Sequence, residues 1–417
     1  MYRKLVLDNG VRVVTERIPT LKSVTVGIWV NTGSRDEQPS QAGYSHFIEH
    51  MFFKGTRSRS ATEISREIDA LGGEMNAFTT RETTTFYVKV LDQQLEQALN
   101  LLADLFHHSR FDPKEVEKEK QVVLEEIRMV QDDPEDLVQE LHTGQVLGRH
   151  PLGRSILGRE DTIRGLRRRD LMGYIDAHYD PSQIVIAIAG NFDQAALTKM
   201  VARSFGKTER RDGSVRAARR PPEVRGGLVT KKKPLEQVHL CLGLKGVAAG
   251  HRDRYAVYAM NSVLGGSMSS RLFQEVREKR GLVYSIYSFL SGYSDVGTMT
   301  VYAATRPKEV ERVVDLVCRE IRRISRQGIE QRELDRAKNQ MKGSLMLSLE
   351  SSHSRMSKLA KDELVYGTRT SLEDMLAQID RVTTEQVYTV GRQLLDLDHL
   401  AVTGLGPLTS RTLHAFR

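Results

Sequence analysis

The sequence predicts an α+β protein of two homologous, duplicated domains, each an antiparallel β-sheet with helices packed on it. Three observations lead there. The chain has 417 residues, 39% of them hydrophobic and 28% charged, a globular composition too long for one ordinary core. A basic stretch with prolines and glycines, residues 207–228, divides it near the middle. The parts on either side of that stretch also match. Residues 161–171 precede the apolar run 184–190, as 379–382 precede 400–406, with an offset of 216 residues. FDPKEVEKEKQVVLEEI (111–127) parallels IEQRELDRAKNQMKGSL (329–345) at an offset of 218. The expected division is a first domain over 1–206, a linker over 207–228 and a second domain over 229–417.

Taken in order, KLVL and RVVTERI read as two strands joined by Asp8-Asn9-Gly10, a strong hairpin turn. Ordered structure from the first residues, without the apolar run of a signal peptide, leads to the expectation of a cytoplasmic or already matured protein. SHFIEHMFF (45–53) reads as a helix. Residues 71–79, LGGEMNAFT, read as a strand after a Gly-Gly turn. Residues 113–131 read as a long helix, with Asp112 as its cap and Pro113 at its first position. The second half repeats the succession of strands, helix, Gly-containing turn, strands and helices through QEVREKRGLVYSIYSFLSGYSDVGTMTVYAA. The two cysteines, Cys241 and Cys318, are far apart and read as reduced, buried thiols, so a metal here would not be held by sulfur. No window approaches the roughly 18 apolar residues of a membrane span. The net charge of +8 is concentrated in KTERRDGSVRAARRPPEVRGG, the following KKK and Arg167-Arg168-Arg169. With no recognition helix or aromatic platform beside it, this charge reads as a solvated linker and not as a nucleic-acid surface.

The chemistry is concentrated in the first half. On a helix at about 100° per residue, His50 falls about 40° from His46, and Glu49 about 60° to the other side. Histidines at i and i+4 lie one turn apart on one face and can bind one metal ion. A glutamate beside them can hold and deprotonate a metal-activated water. A catalytic zinc usually takes three protein ligands, and none of the remaining histidines forms a second pair. The helix 113–131 offers carboxylates instead. Its apolar stripe runs Val116, Val123, Ile127, Val130, with Glu117 and Glu125 pointing away. Glu119 and Glu126, seven residues apart and about 20° from alignment, fall on or beside the stripe. Carboxylates turned inward are costly unless paired or bound to metal. The second half keeps none of this: nothing matches HFIEH, and Ala337 and Ser344 stand where the first half has Glu119 and Glu126.

HFIEH is the inverted H-x-x-E-H signature, followed here by MFFKGT and by the glutamate helix about 76 residues on. With the duplicated halves, the whole chain resembles the pitrilysin-type zinc peptidases, the family that includes insulin-degrading enzyme and the mitochondrial processing peptidase. The resemblance implies one zinc per chain with ligands His46, His50 and Glu126. It implies Glu49 as general base and Glu119 as the carboxylate that orients a ligand histidine. It further implies that Asn76, Ala77 and Phe78 hold an extended peptide as an added strand. Arg277 and Tyr284 of the second half would grip a substrate carbonyl and stabilise the oxyanion, with Arg280 as the alternative arginine. Long family members carry four such domains, so the resemblance implies a homodimer, or a heterodimer with a related subunit, completing the site. The implied activity is endoproteolysis of short or unfolded peptides. The alternative is a non-catalytic, peptide-binding partner subunit of a processing complex.

Overall fold

The computed structural model describes residues 1–208 and 218–408. The chain forms two compact units. Unit 1 comprises Met1–Arg128, Arg154–Ala218 and Leu347–Arg369; unit 2 comprises Met129–Gly153, Arg219–Met346 and Thr370–Arg417. Each has one β-sheet with an apolar core on its helix-covered face.

The sheet of unit 1 is built from β1 (Tyr2–Val6), β2 (Arg12–Arg17), β3 (Ser23–Val30), β4 (Glu74–Thr79), β5 (Thr84–Leu91) and β6 (Ile184–Gly190). Their spatial order is β1-β2-β6-β3-β5-β4. The opening hairpin forms as the turn chemistry requires, with Leu5 opposite Val13 and Gly10 at φ +95°. The sheet is antiparallel except for β2 against β6. Those two strands are separated by nearly the whole first half of the chain, long enough for the crossover that a parallel pair needs. Unit 2 repeats the plan with β7 (Gly227–Lys232), β8 (Val238–Gly246), β9 (Val283–Gly292), β10 (Gly297–Thr305) and β11 (Ala401–Gly406), in the order β7-β11-β8-β10-β9. Here too one pair is parallel, β7 with β11. The order matches unit 1 strand for strand once β1 is removed, so the repeat read from the sequence is a repeat of sheet topology. Of the expected linker 207–228, residues 209–217 lie outside the described residues, and Gly227 and Leu228 already belong to β7. Lys231 and Lys232 lie exposed on that edge strand, where charge discourages pairing with another sheet.

The helices that frame the site are α1 (Tyr44–Met51), α2 (Ala61–Ala70), α3 (Leu95–His108) and α4 (Pro113–Asp132). A fifth, α5 (Pro134–Leu147), follows α4 in sequence but packs on the sheet of unit 2. Its Leu137 and Val138 meet Cys241, Tyr302 and Leu405, and His142 Nδ1 lies 2.8 Å from Thr403 Oγ1. The helix Ser352–Val365, from the second half, does the converse in unit 1. Met356, Leu359 and Ala360 cover Val14, Trp29, Val185, Ala187 and Ala189, and the Trp29 indole donates to Met356 Sδ at 3.2 Å. The units therefore differ from a simple division at the basic segment. The central strands β3 and β6 are buried on both faces, so their second face needs a helical cover. The chain supplies each cover from its opposite half. Among the described residues no helix is long and apolar enough to cross a membrane.

Candidate metal centre

Helix α1 is short and held by its surroundings, not by propensity. Phe47, Ile48 and Met51 are fully buried against Val26, Ile28 and Val88 of the sheet. Each such side chain contributes about 1.5–3 kcal/mol relative to exposure. The helix begins at Gly43, whose φ of +94° suits glycine alone; a Cβ there would sit 2.7 Å from Leu157 O. Glu37 then caps the first turn, accepting hydrogen bonds from the amides of Gly43 (2.9 Å) and Ser45 (2.8 Å). Burial pushes its carboxyl up to about 7, against the lowering effect of those amides. With the apolar residues spoken for, His46, Glu49 and His50 share the remaining face.

Helix α4 brings the carboxylates. Asp112 Oδ1 accepts from the Lys114 amide at 2.8 Å, and Pro113 opens the helix. Val116, Val123, Leu124 and Ile127 face the core, together with Glu119 and Lys120. Glu117 and Glu125 point outward, 69% and 63% exposed, in ion pairs with Lys120 and Arg128. Helical phase thus separates the inward from the outward glutamates as expected. It did not reveal Lys120, whose ammonium reaches Arg164 O at 3.2 Å.

His46, His50 and Glu126 converge. His46 Nε2 lies 3.6 Å from Glu126 Oε2, and His50 Nε2 lies 3.7 Å from Glu126 Oε1. One donor atom from each residue falls within 4.8 Å of the other two. Ligands about 2.0–2.1 Å from a tetrahedral zinc ion stand about 3.4 Å apart, so the two contacts to Glu126 lie within a few tenths of an ångström of that spacing. Glu126 Oε2 is buried without a hydrogen-bond partner, as an atom reserved for a cation would be. Protonation favours binding at the first histidine: burial, aided by the nearby His50, lowers His46 to about 3 and leaves its imidazole neutral. At His50 burial acts in the same direction, but the Glu119 hydrogen bond and the charges of Glu126, Glu119 and Glu49 outweigh it and raise the pKa.

Glu119 occupies the outer position. Its Oε1 lies 2.8 Å from His50 Nδ1 and its Oε2 2.6 Å from Lys54 Nζ. Burial opposes its charge, yet His50 and Lys54 hold the carboxyl below the usual range. A carboxylate on Nδ1 fixes the tautomer that leaves the Nε2 lone pair available to a cation. Lys54 was not singled out in the sequence; it lies four residues after His50, just past the end of α1. Glu49 does not join the ligand cluster. Burial raises its carboxyl, with Glu126 adding to the rise, while the Thr79 hydroxyl, 2.6 Å from Oε2, and His50 lower it.

The segment holding Asn76, Ala77 and Phe78 is β4, at the sheet's edge and paired only with β5. The Ala77 amide is engaged at 2.8 Å by the Asn76 side chain, so it points away from β5. Phe78 packs edge-to-face on Trp29 with centroids 5.5 Å apart. Arg277 and Tyr284 belong to unit 2. They line a surface cleft of about 530 Å³ with Gly266, Met268, Phe273 and Ser285. The Arg277 guanidinium lies 4.7 Å from the Phe273 ring centroid and 5.6 Å from that of Tyr284, which is 79% exposed. Arg280 instead forms a 2.6 Å ion pair with Glu275, outside the cleft lining.

Two family models match the chain: Insulinase (Peptidase family M16) over residues 12–160 and the Peptidase M16 inactive domain over 165–341. A protein of Bacillus subtilis described as the uncharacterized zinc protease YmxG is 44% identical, over 96% of this chain and 97% of its own length. The chain belongs to peptidase family M16. An M16 relative in Streptomyces coelicolor, also described as an uncharacterized zinc protease, is 41% identical over 98% of this chain and 90% of its own. The M16 fold recurs in crystal structures of a peptidase M16 inactive domain from Pseudomonas fluorescens (TM-score 0.90, 22% identity) and a protease from Helicobacter pylori (TM-score 0.89, 23% identity). The first covers 98% of both chains, and the second 98% of this chain and 99% of its own. The inactive-domain model runs from residue 165, within the first half, to residue 341 of the second, a half with no residues matching HFIEH, Glu119 and Glu126.

Proposed function

We propose that this M16 peptidase is a zinc endopeptidase that hydrolyses short or unfolded peptides, with Glu49 as general base. The observation that carries the reading is the convergence of His46, His50 and Glu126, with Glu49 beside them and outside the ligand set. The cofactor is zinc, which supplies at this donor set a Lewis acid for activating water and polarising a carbonyl. Glu49 accepts the proton of the attacking water and passes it to the departing amine. Its raised pKa suits both halves of that task better than an ordinary carboxylate's. The free edge of β4 positions the substrate backbone through Ala77 once the Asn76 side chain yields its amide. The test is zinc analysis joined to digestion of a peptide library, before and after chelation and zinc readdition. Chelator-sensitive cleavage restored by zinc supports the reading. A protein with full zinc and no cleavage would be the non-catalytic partner subunit instead.

Glu119 acts through His50. Glu119→Ala is expected to weaken zinc binding about 10–100-fold while the chain stays folded. Competition with a metallochromic chelator measures this, and unchanged affinity would remove Glu119 from the site.

Tyr284 and Arg277 supply the oxyanion donor and the carbonyl grip, and Arg277 is the arginine whose surroundings suit the role, since Arg280 is committed to Glu275. In the proposed homodimer each subunit lends this pair to its partner's zinc site. Glu49→Gln and Tyr284→Phe proteins, each nearly inactive alone, are then expected to regain activity when mixed and allowed to exchange subunits. The hybrid carries one site with both groups intact. Activity that stays at the level of the separate variants would argue against a shared site.

A further inference from the structure

We propose that Thr79 is a positioning residue for this hydrolysis, pinning one carboxylate oxygen of Glu49 so that the other faces the reacting water. The inference rests on the general-base role given to Glu49 above. Thr79 is the last residue of β4, and its hydroxyl lies 2.6 Å from Glu49 Oε2. An ionised carboxylate only accepts, so the hydroxyl donates, and the short distance marks a charge-assisted bond. Among the described residues Glu49 Oε1 makes no hydrogen bond, which leaves it as the oxygen able to receive a proton.

The geometry of this bond is set by a single stretch of chain. Residues 33–37 hold both partners. On the strand side, the Ser34 and Arg35 amides donate to Thr80 O (3.3 Å) and Arg81 O (2.8 Å), just beyond Thr79. The Arg35 guanidinium, from a residue only 4% exposed, bonds Glu82 Oε1 at 2.7 Å. On the helix side, Glu37 bonds the amides of Gly43 and Ser45 at the start of α1. Arg154 Nη1 in turn donates to Glu37 O at 2.6 Å. The strand end bearing Thr79 and the helix bearing Glu49 are thus tied to the same five residues. Thr79 is also β-branched, which restricts the rotamer that points its hydroxyl at Glu49.

Without the hydroxyl, Glu49 keeps its charge and its place on the helix but gains freedom to turn. The loss is one of orientation during reaction, not of substrate or metal binding. Thr79→Val is therefore expected to lower kcat on the order of tenfold, the equivalent of one hydrogen bond, while KM and zinc content stay at wild-type values. Thr79→Ser, which restores the donor without the methyl, is expected to recover kcat to within about twofold. The experiment compares kcat, KM and zinc stoichiometry for wild type, both Thr79 variants and Glu49→Gln on one cleaved peptide. A Thr79→Val protein with wild-type kcat overturns the inference. So does one that loses zinc or raises KM in parallel, or a serine variant no better than valine, since each marks a structural role. Zinc-loaded wild type without hydrolysis would instead overturn the proposed function, and this inference with it.

Discussion

Glu49→Gln is expected to retain its zinc and to lose peptide hydrolysis by about 10²–10⁴-fold in kcat, the range for removal of a general base. The substitution is nearly isosteric. Glu49 does not belong to the converging donor set, so the ligand geometry of His46, His50 and Glu126 is left in place. The amide also still accepts the Thr79 hydrogen bond through its oxygen, so the structural cost is small. What disappears is the oxygen that takes a proton from water. Single-turnover cleavage of a fluorogenic peptide, with zinc content measured on the same sample, separates the two effects. A variant that keeps both zinc and the original rate would eliminate Glu49 as the base.

Glu126→Gln is expected to have the opposite signature, with metal and activity lost together. Glu126 is the only anionic member of the donor set, and its carboxylate stands between the two imidazoles. Replacing it with an amide leaves two neutral nitrogens, and zinc affinity should fall more than about 100-fold, beyond the effect of an outer partner such as Glu119. Folding should survive, because the Glu126 side chain is 34% exposed and the apolar face of α4 is untouched. The measurement is zinc stoichiometry after gel filtration, followed by titration against a chelator. Affinity close to that of the wild type would mean that another group completes the site.

Much of this arrangement was legible in the sequence because it depends on helical phase. The i, i+4 spacing of His46 and His50, and the seven-residue spacing of Glu119 and Glu126, fix directions that packing cannot easily alter. The repeat was legible for a related reason: two sheets of one topology need similar element lengths in the same order. What stayed hidden depends on contacts between distant segments. Thr79 and Lys54 are ordinary residues until β4 and α4 are placed against α1. Glu37 carries no sign of its role in the sequence, yet it is 3% exposed and caps the helix that bears His46 and His50. The parallel pairs β2/β6 and β7/β11 and the exchanged helices escaped notice because the apolar pattern of a strand records that a face is covered, not by which element.

The exchanged helices have a consequence for biosynthesis. As the chain leaves the ribosome, the Trp29 face of the first sheet stays bare until residues 352–365 emerge, long after His46, His50 and Glu126 have been made. Completion of the first sheet's packing therefore awaits synthesis past residue 365, and a product truncated before that point would present a naked apolar sheet to chaperones and proteases.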